Sequence, residues 1–196
     1  MLLNEIKLLN ENVQLPEHIV AYIQEHCQPY LQAVGNDLST FLYRGVSKNR
    51  LSRLQEVPGL SNCAIISGHH ESRDPLDTPT VYHDMANEIF TELYGAPFRN
   101  GIFATGSLPT AKGYGSPVAI FPIGDFKFCW SSTVVDMSNL VAGNVDYYEG
   151  DHNKEEETNF IHTLRTQYSN KNLKAAIESK KEVMLYCDSC LVYVAV

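Results

Sequence analysis

Two apolar, β-prone runs close the chain: Val183-Met184-Leu185-Tyr186 and, from Leu191 to Val196, Leu-Val-Tyr-Val-Ala-Val. Short apolar runs bounded by polar punctuation read as buried strands. The sequence therefore predicts a terminal hairpin, with Cys187-Asp188-Ser189-Cys190 as its turn. Glu182 stands immediately before the first run, at the mouth of a buried strand. Carboxylates are rarely buried without a partner, so taken alone Glu182 reads as a solvated strand end. Only the rest of the chain can give it another role.

At 196 residues the chain fits one domain, with room for a small helical attachment. A hydrophobic content of 44% is enough for a real core. The net charge of −8 argues against a general nucleic-acid or anionic-membrane binder. No uninterrupted apolar run is long enough to span a membrane, and the start Met1-Leu2-Leu3-Asn4-Glu5 lacks the layout of a signal peptide. The expected location is cytoplasmic, in the protein's own cell or in a host. Five scattered cysteines, an odd number, read as reduced thiols. The pair Cys187-x-x-Cys190 has no second such pair beside it, and is read as two turn thiols rather than a redox or zinc motif. Adjacent loop residues such as His69-His70-Glu71 seldom supply a whole ligand set, so no metal is expected.

Residues 1–39 read as a helical segment. Pro16 suits a first turn, Ile19, Val20, Ile23, Cys27, Tyr30, Leu31 and Val34 trace one face, and Pro29 should split the helix. Residues 40–196 read as an α+β domain. Its expected strands lie at 40–46, 102–107, 118–122 and 126–130, with Ile123-Gly124-Asp125 turning the chain between the last two, and 64–66 reads as a short strand or a connector. A helix is expected from a cap at Asp77 or Thr78 to a stop at Gly95, with His83 and Asn87 together on its polar flank. The stretch 110–115 reads as a short helix or helical turn, and further helices are expected at 155–168 and 172–180. Arg44, behind Phe41-Leu42-Tyr43, is unusual, because a guanidinium in apolar company must find an anion or stay wet.

Three pieces thus stand in order: Leu42-Tyr43-Arg44-Gly45, then Phe103-Ala104-Thr105-Gly106-Ser107 followed by Ala111 and Tyr114-Gly115, then Glu182-Val183-Met184-Leu185. Their order resembles the mono-ADP-ribosyltransferase family of the Arg–Ser–Glu type, and the Arg-Gly-Val and Glu-Val-Met stretches are most similar to phage-encoded transferases that modify host proteins. The separations fit, with 105 − 44 = 61 positions from Arg44 to Thr105 and 182 − 105 = 77 from Thr105 to Glu182. The resemblance implies a mixed β core of that fold behind the N-terminal helical segment. It implies NAD as substrate, no metal, and transfer of ADP-ribose to a protein acceptor, such as a host component. Two other readings stand beside it: a non-catalytic accessory protein that keeps the fold and binds a host protein, and an NAD glycohydrolase.

On that resemblance Glu182 is the catalytic carboxylate, stabilising the cation-like ribose that forms as the bond to nicotinamide breaks. Arg44 pairs with the dinucleotide phosphates, beside Tyr43 and Gly45. Thr105, or Ser107 in the other alignment of the motif, orients the carboxylate. Tyr43, Tyr114 or Phe126 stacks on nicotinamide. Position 180 departs from the family pattern: it is Lys180, where an acid or glutamine usually helps to engage the acceptor. The loop with Arg73, Asp74 and Asp77 and the His83 helix have no family role, and read as a lid or an acceptor-recognition element.

Overall fold

The computed structural model describes residues 15–39, 41–71, 75, 78–142 and 154–194. Arg73, Asp74, Asp77 and the Tyr147-Tyr148 pair lie outside the described residues. The fold is α+β, built on a small closed barrel of antiparallel strands. Strands β1 (Leu42–Val46), β2 (Cys63–Ser67), β3 (Ile102–Thr105), β4 (Ser116–Ser131), β5 (Tyr168–Ser169) and β6 (Glu182–Tyr193) form one sheet in the order β2-β6-β3-β1-β4-β5. It closes because β4 also pairs with β6, from Ala119 opposite Tyr193 to Trp130 opposite Val183. The other edge of β6 is shared, first with β3 (Glu182 opposite Thr105) and then with β2 (Ser189 opposite Ser67).

Two expected turns are strand instead. Ile123-Gly124-Asp125 does not reverse the chain; β4 runs through it with a register irregularity between Ile123 and Phe126. Gly124, at φ +66°, takes the left-handed conformation this bulge requires. Likewise Cys187-Asp188-Ser189-Cys190 is the middle of β6, not the tip of a hairpin. Both cysteines point inward as free, buried thiols with their sulfurs 3.3 Å apart, while Asp188 stays exposed. The hydrogen bond between the two thiols, with burial, pushes the Cys190 thiol well up.

The N-terminal helices α1 (Glu17–His26) and α2 (Gln28–Ala33) break at Cys27, and Pro29 falls in the first turn of α2, where its missing N–H is harmless. Their face of Ile19, Ile23, Cys27, Tyr30, Leu31 and Val34 joins the barrel core with Phe41, Val118, Ile120, Phe121, Val183 and Leu185. The segment has no core of its own among the described residues. Burial pushes the Cys27 thiol up to about 12.

A short α3 (Lys48–Leu51) follows β1, and α4 (Thr80–Tyr94) ends at a left-handed Gly95 as expected. It starts after Pro79 without a side-chain cap; the Thr78 hydroxyl accepts from Arg99 instead, and Asp77 lies outside the described residues. Beyond a 3-10 turn at Phe98–Asn100 come α5 (Leu108–Gly113), α6 (Ser138–Ala142), α7 (Lys154–Gln167) and α8 (Leu173–Glu178). Helices α4 and α7 cover the outer face of the sheet. Ala86, Phe90, Phe160 and Leu164 form a second apolar cluster there with Cys129 and Met184. Among the described residues no helix is long and apolar enough to cross a membrane.

Phe121 is fully buried and meets Tyr30 and Phe41 edge-on, with ring centroids 5.7 Å away in both cases. It therefore ties the N-terminal helices to the barrel. Phe121→Ala is expected to lower stability by about 3–5 kcal/mol in denaturant titration, the range for emptying an aromatic core site.

Candidate functional site

Side chains alternate across a strand, so Glu182 and Met184 of β6 share a face, as do Phe103 and Thr105 of β3. The pairing sets Phe103 opposite Met184 and Thr105 opposite Glu182. Met184 and Phe103 go into the apolar layer beneath α4, and the next pair along emerges at its end. Tyr43 of β1 lies opposite Thr105 on the other edge of β3. Thr105 and Glu182 therefore share a face with Tyr43 at one place, and Arg44, one residue on, alternates to the other face of β1.

That place is a cleft of about 380 Å³, lined among others by Arg44, Arg99, Thr105, Tyr114, Lys180 and Glu182. Its volume is within the range of small-molecule sites. One wall is β1 against α5, where backbones touch closely: a Cβ on Gly45 would fall 2.3 Å from the Ala111 carbonyl oxygen. Gly45 is thus needed for the packing of that wall.

Glu182 is mostly buried, with 14% of its side chain exposed. Its Oε2 lies 3.8 Å from Nη1 of Arg99, whose side chain is 7% exposed. The Met137 N–H donates to Oε1 at 3.4 Å, and the Glu182 N–H donates to the Val135 carbonyl at 3.0 Å, so the segment after β4 straps the acid in place. The environment beneath is dry. Burial, with the Glu182 charge adding to it, pushes the Tyr168 phenol and the Cys129 thiol well above their ordinary values.

Arg99 does not stand out by sequence pattern as Arg44 does, yet it lies beside the acid. Its guanidinium lies over the Phe103 ring at 4.4 Å, and Nη2 donates to Thr78 Oγ1 at 3.2 Å. Nε and Nη1 are buried without a hydrogen bond among the described residues. A weaker signal exists: Arg99 follows Phe98 just ahead of an apolar strand, a variant of the anomaly that marks Arg44. The Arg99 backbone is fixed by Asn87, whose amide oxygen accepts its N–H at 2.9 Å. Asn87 and His83 share a helix face, as their spacing predicts, but that face is not a surface flank. His83 is buried, and both side chains donate to the amide oxygen of Asn100 at 3.1 Å. His83 also lines the cleft.

Thr105 reaches the cleft, but its hydroxyl is directed elsewhere. It donates to the Lys180 carbonyl at 2.8 Å and accepts from the Ser107 N–H at 3.1 Å. Thr105 therefore fixes the turn that leads into β6, not the carboxylate itself. Ser107 caps α5, accepting from the Thr110 N–H at 3.2 Å. Of the three aromatic residues expected to stack on a ring, Tyr114 stands at the mouth, 66% exposed, with its hydroxyl donating to Asp136 Oδ2 at 3.4 Å. Tyr43 lines the cleft but is buried, edge-on to Phe41. Phe126 is far from it: it pairs with Cys187 near the middle of β6 and packs on Tyr30 and Phe128. The barrel curls that position away from the cleft, which local sequence could not reveal. Among the described residues no three His, Cys, Asp or Glu side chains gather as a metal would require. His69 instead stacks on Tyr186, with Nδ1 2.8 Å from the Cys187 carbonyl oxygen. No family model, curated protein or solved structure matches the chain.

A buried ion pair is worth most when one partner is removed, because the survivor is left charged and dry. Arg99→Met and Glu182→Gln are each expected to cost about 3 kcal/mol in denaturant titration, and the double variant much less than their sum. Additive losses would show that the two groups do not interact.

Proposed function

We propose that the cleft binds NAD and catalyses transfer of its ADP-ribosyl group to a protein acceptor. The observation that carries this reading is the meeting of Arg44, Thr105 and Glu182, 61 and 77 positions apart in the sequence, in one cleft on three adjacent strands. Breaking the bond between nicotinamide and ribose builds positive charge on the ribose. A carboxylate held in a dry, preorganised place stabilises that charge without reorganising at the moment of reaction. Glu182 suits this role, because the strand start, the Met137 amide and Arg99 fix its position.

Arg44 supplies the forked donors for the pyrophosphate, a geometry that a lysine at the same place could not reproduce. Tyr114 and the exposed Val135 give the mouth an apolar surface on which a flat ring can rest. In this reading Thr105 is a positioning residue, acting through the Lys180 carbonyl on the start of β6.

Incubation with NAD labelled in the adenylate, with and without cell lysate, tests the reading. Wild type should label protein, and Glu182→Ala should lower that labelling at least ~100-fold, the usual scale for losing a preorganised electrostatic group. Arg44→Ala should act chiefly by weakening NAD binding. Free ADP-ribose without labelled protein would replace transfer by hydrolysis. Absence of both NAD binding and turnover would refute the reading and leave a binding module.

A further inference from the structure

Strand β1 leads out of the cleft into a stretch whose charge is opposite to that of the chain. From Leu38 to Gln55 there are four cations, Arg44, Lys48, Arg50 and Arg53, and no carboxylate. The stretch therefore carries +4 and the rest of the chain −8 − 4 = −12. Arg44 lines the cleft. The other three belong to α3 and the turn that follows it, all three are exposed, and no residue of α3 is buried. Arg50 and Arg53 stand one turn apart, the Arg53 N–H donating to the Arg50 carbonyl at 3.1 Å. Other surface cations are paired, Arg165 with Glu92 and Lys174 with Asp37. Among the described residues Lys48, Arg50 and Arg53 have no such partner. Like charges one turn apart repel, and α3 buries nothing that offsets the cost. An anion from outside would relieve it.

The basic stretch lies at the rim of the cleft. Gly45 lines the cleft, and α3 begins at Lys48, after Val46 has closed β1 opposite Ser116. Gly115 packs against the same strand end, so closely that a Cβ there would fall 2.6 Å from the Val46 carbonyl oxygen. The end of α5 is thereby held against the start of the basic stretch. It brings a further exposed cation, Lys112, next to Tyr114, which lines the cleft mouth. Ser47 fixes the start of α3 by accepting the Arg50 N–H at 3.3 Å, so the cations project from a capped turn, not from a loose loop.

We infer that this rim, formed by Lys48, Arg50, Arg53 and Lys112, docks an acidic protein segment, a run of aspartate and glutamate side chains, beside the cleft. Its use as the docking surface of the acceptor rests on the proposed ADP-ribosyl transfer; the binding itself does not. The −12 carried by the rest of the chain favours a peptide segment over nucleic acid. A short acidic segment can lie within the rim, whereas a nucleic acid carries its charge on over surface of its own sign. Charges at a rim act chiefly on encounter and orientation, and their effect falls as salt screens them. The rim would therefore gather acidic partners and leave the bond-breaking step to the cleft.

Fluorescence anisotropy of the full chain with a labelled poly-glutamate peptide tests the docking without NAD. Wild type should bind it saturably, and less tightly as salt is raised. Lys48→Glu combined with Arg50→Glu should weaken binding about 10-fold or more at the same salt, because two attractions become repulsions. Lys154→Glu combined with Lys171→Glu alters two exposed cations elsewhere and changes the net charge equally. It should leave binding nearly unmoved. With labelled NAD and lysate, the α3 variant should label protein less by a similar factor, while its cleavage of NAD without lysate stays at the wild-type rate. No binding of poly-glutamate, equal losses in the two double variants, or tighter binding of single-stranded DNA than of the peptide would overturn the inference. Undiminished labelling by a variant that has lost the peptide would overturn the part of the rim in acceptor docking. Peptide binding that depends on α3 with no cleavage of NAD would instead overturn the transfer reading and uphold the docking surface.

Discussion

The pairing of β4 with β6 is the constraint on which the rest of the molecule depends. Over most of its length β6 has neighbours on both edges, and the ladder from Ala119 opposite Tyr193 to Trp130 opposite Val183 turns an open sheet into a barrel. Closure removes the edges that β4 and β6 would otherwise expose, and it encloses Val118, Ile120, Phe121, Val183 and Leu185 in one core. It also decides where the chemistry sits. A strand anchored along both edges cannot slide by one residue without exchanging its two faces. Glu182 therefore inherits its position from the register of Met184 against Phe103 and of Val183 against Trp130.

A site at the start of such a strand combines rigidity with access. The Glu182 amide is tied to Val135 and its carboxylate lies beside Arg99, while the far side of the cleft is open enough to leave Tyr114 largely exposed. The same few residues link fold and function: Thr105 pairs with Glu182 through the sheet and with Lys180 through its hydroxyl. Acid and cation are thus held in fixed relation by a single residue. The buried pair of Arg99 and Glu182 keeps a charge where water is scarce.

Much of this was legible in the sequence. The helix faces of α1, α2 and α4 follow from periodicity, and the trio of strands stands out as apolar runs each carrying one polar residue. The continuity of β4 and β6 was not legible. Gly124 and the Cys187–Cys190 stretch look like turns locally, and only the partner strands decide otherwise: the Asp188 carbonyl accepts the Gly68 N–H at 3.0 Å, and the bulge at Gly124 absorbs the extra residue. Phe126 failed as a site residue for the same reason, since its distance from Glu182 is a property of the barrel. Arg99 is harder to see because it precedes its strand, whereas Arg44 lies within one. Burial of His83 depends on Asn100 beyond the end of α4, a contact the helix pattern cannot announce.

The central claim is that NAD occupies the cleft where β1, β3 and β6 meet. Backbone amide NMR spectra recorded during a titration with NAD test it most directly. Saturable shifts are expected, centred on Arg44, Gly45, Thr105, Lys180 and Glu182 and weakened by Arg44→Ala, with the exposed β2 residue Ile65 unmoved. Shifts centred on β2, or a spectrum unchanged at millimolar NAD, would contradict the claim.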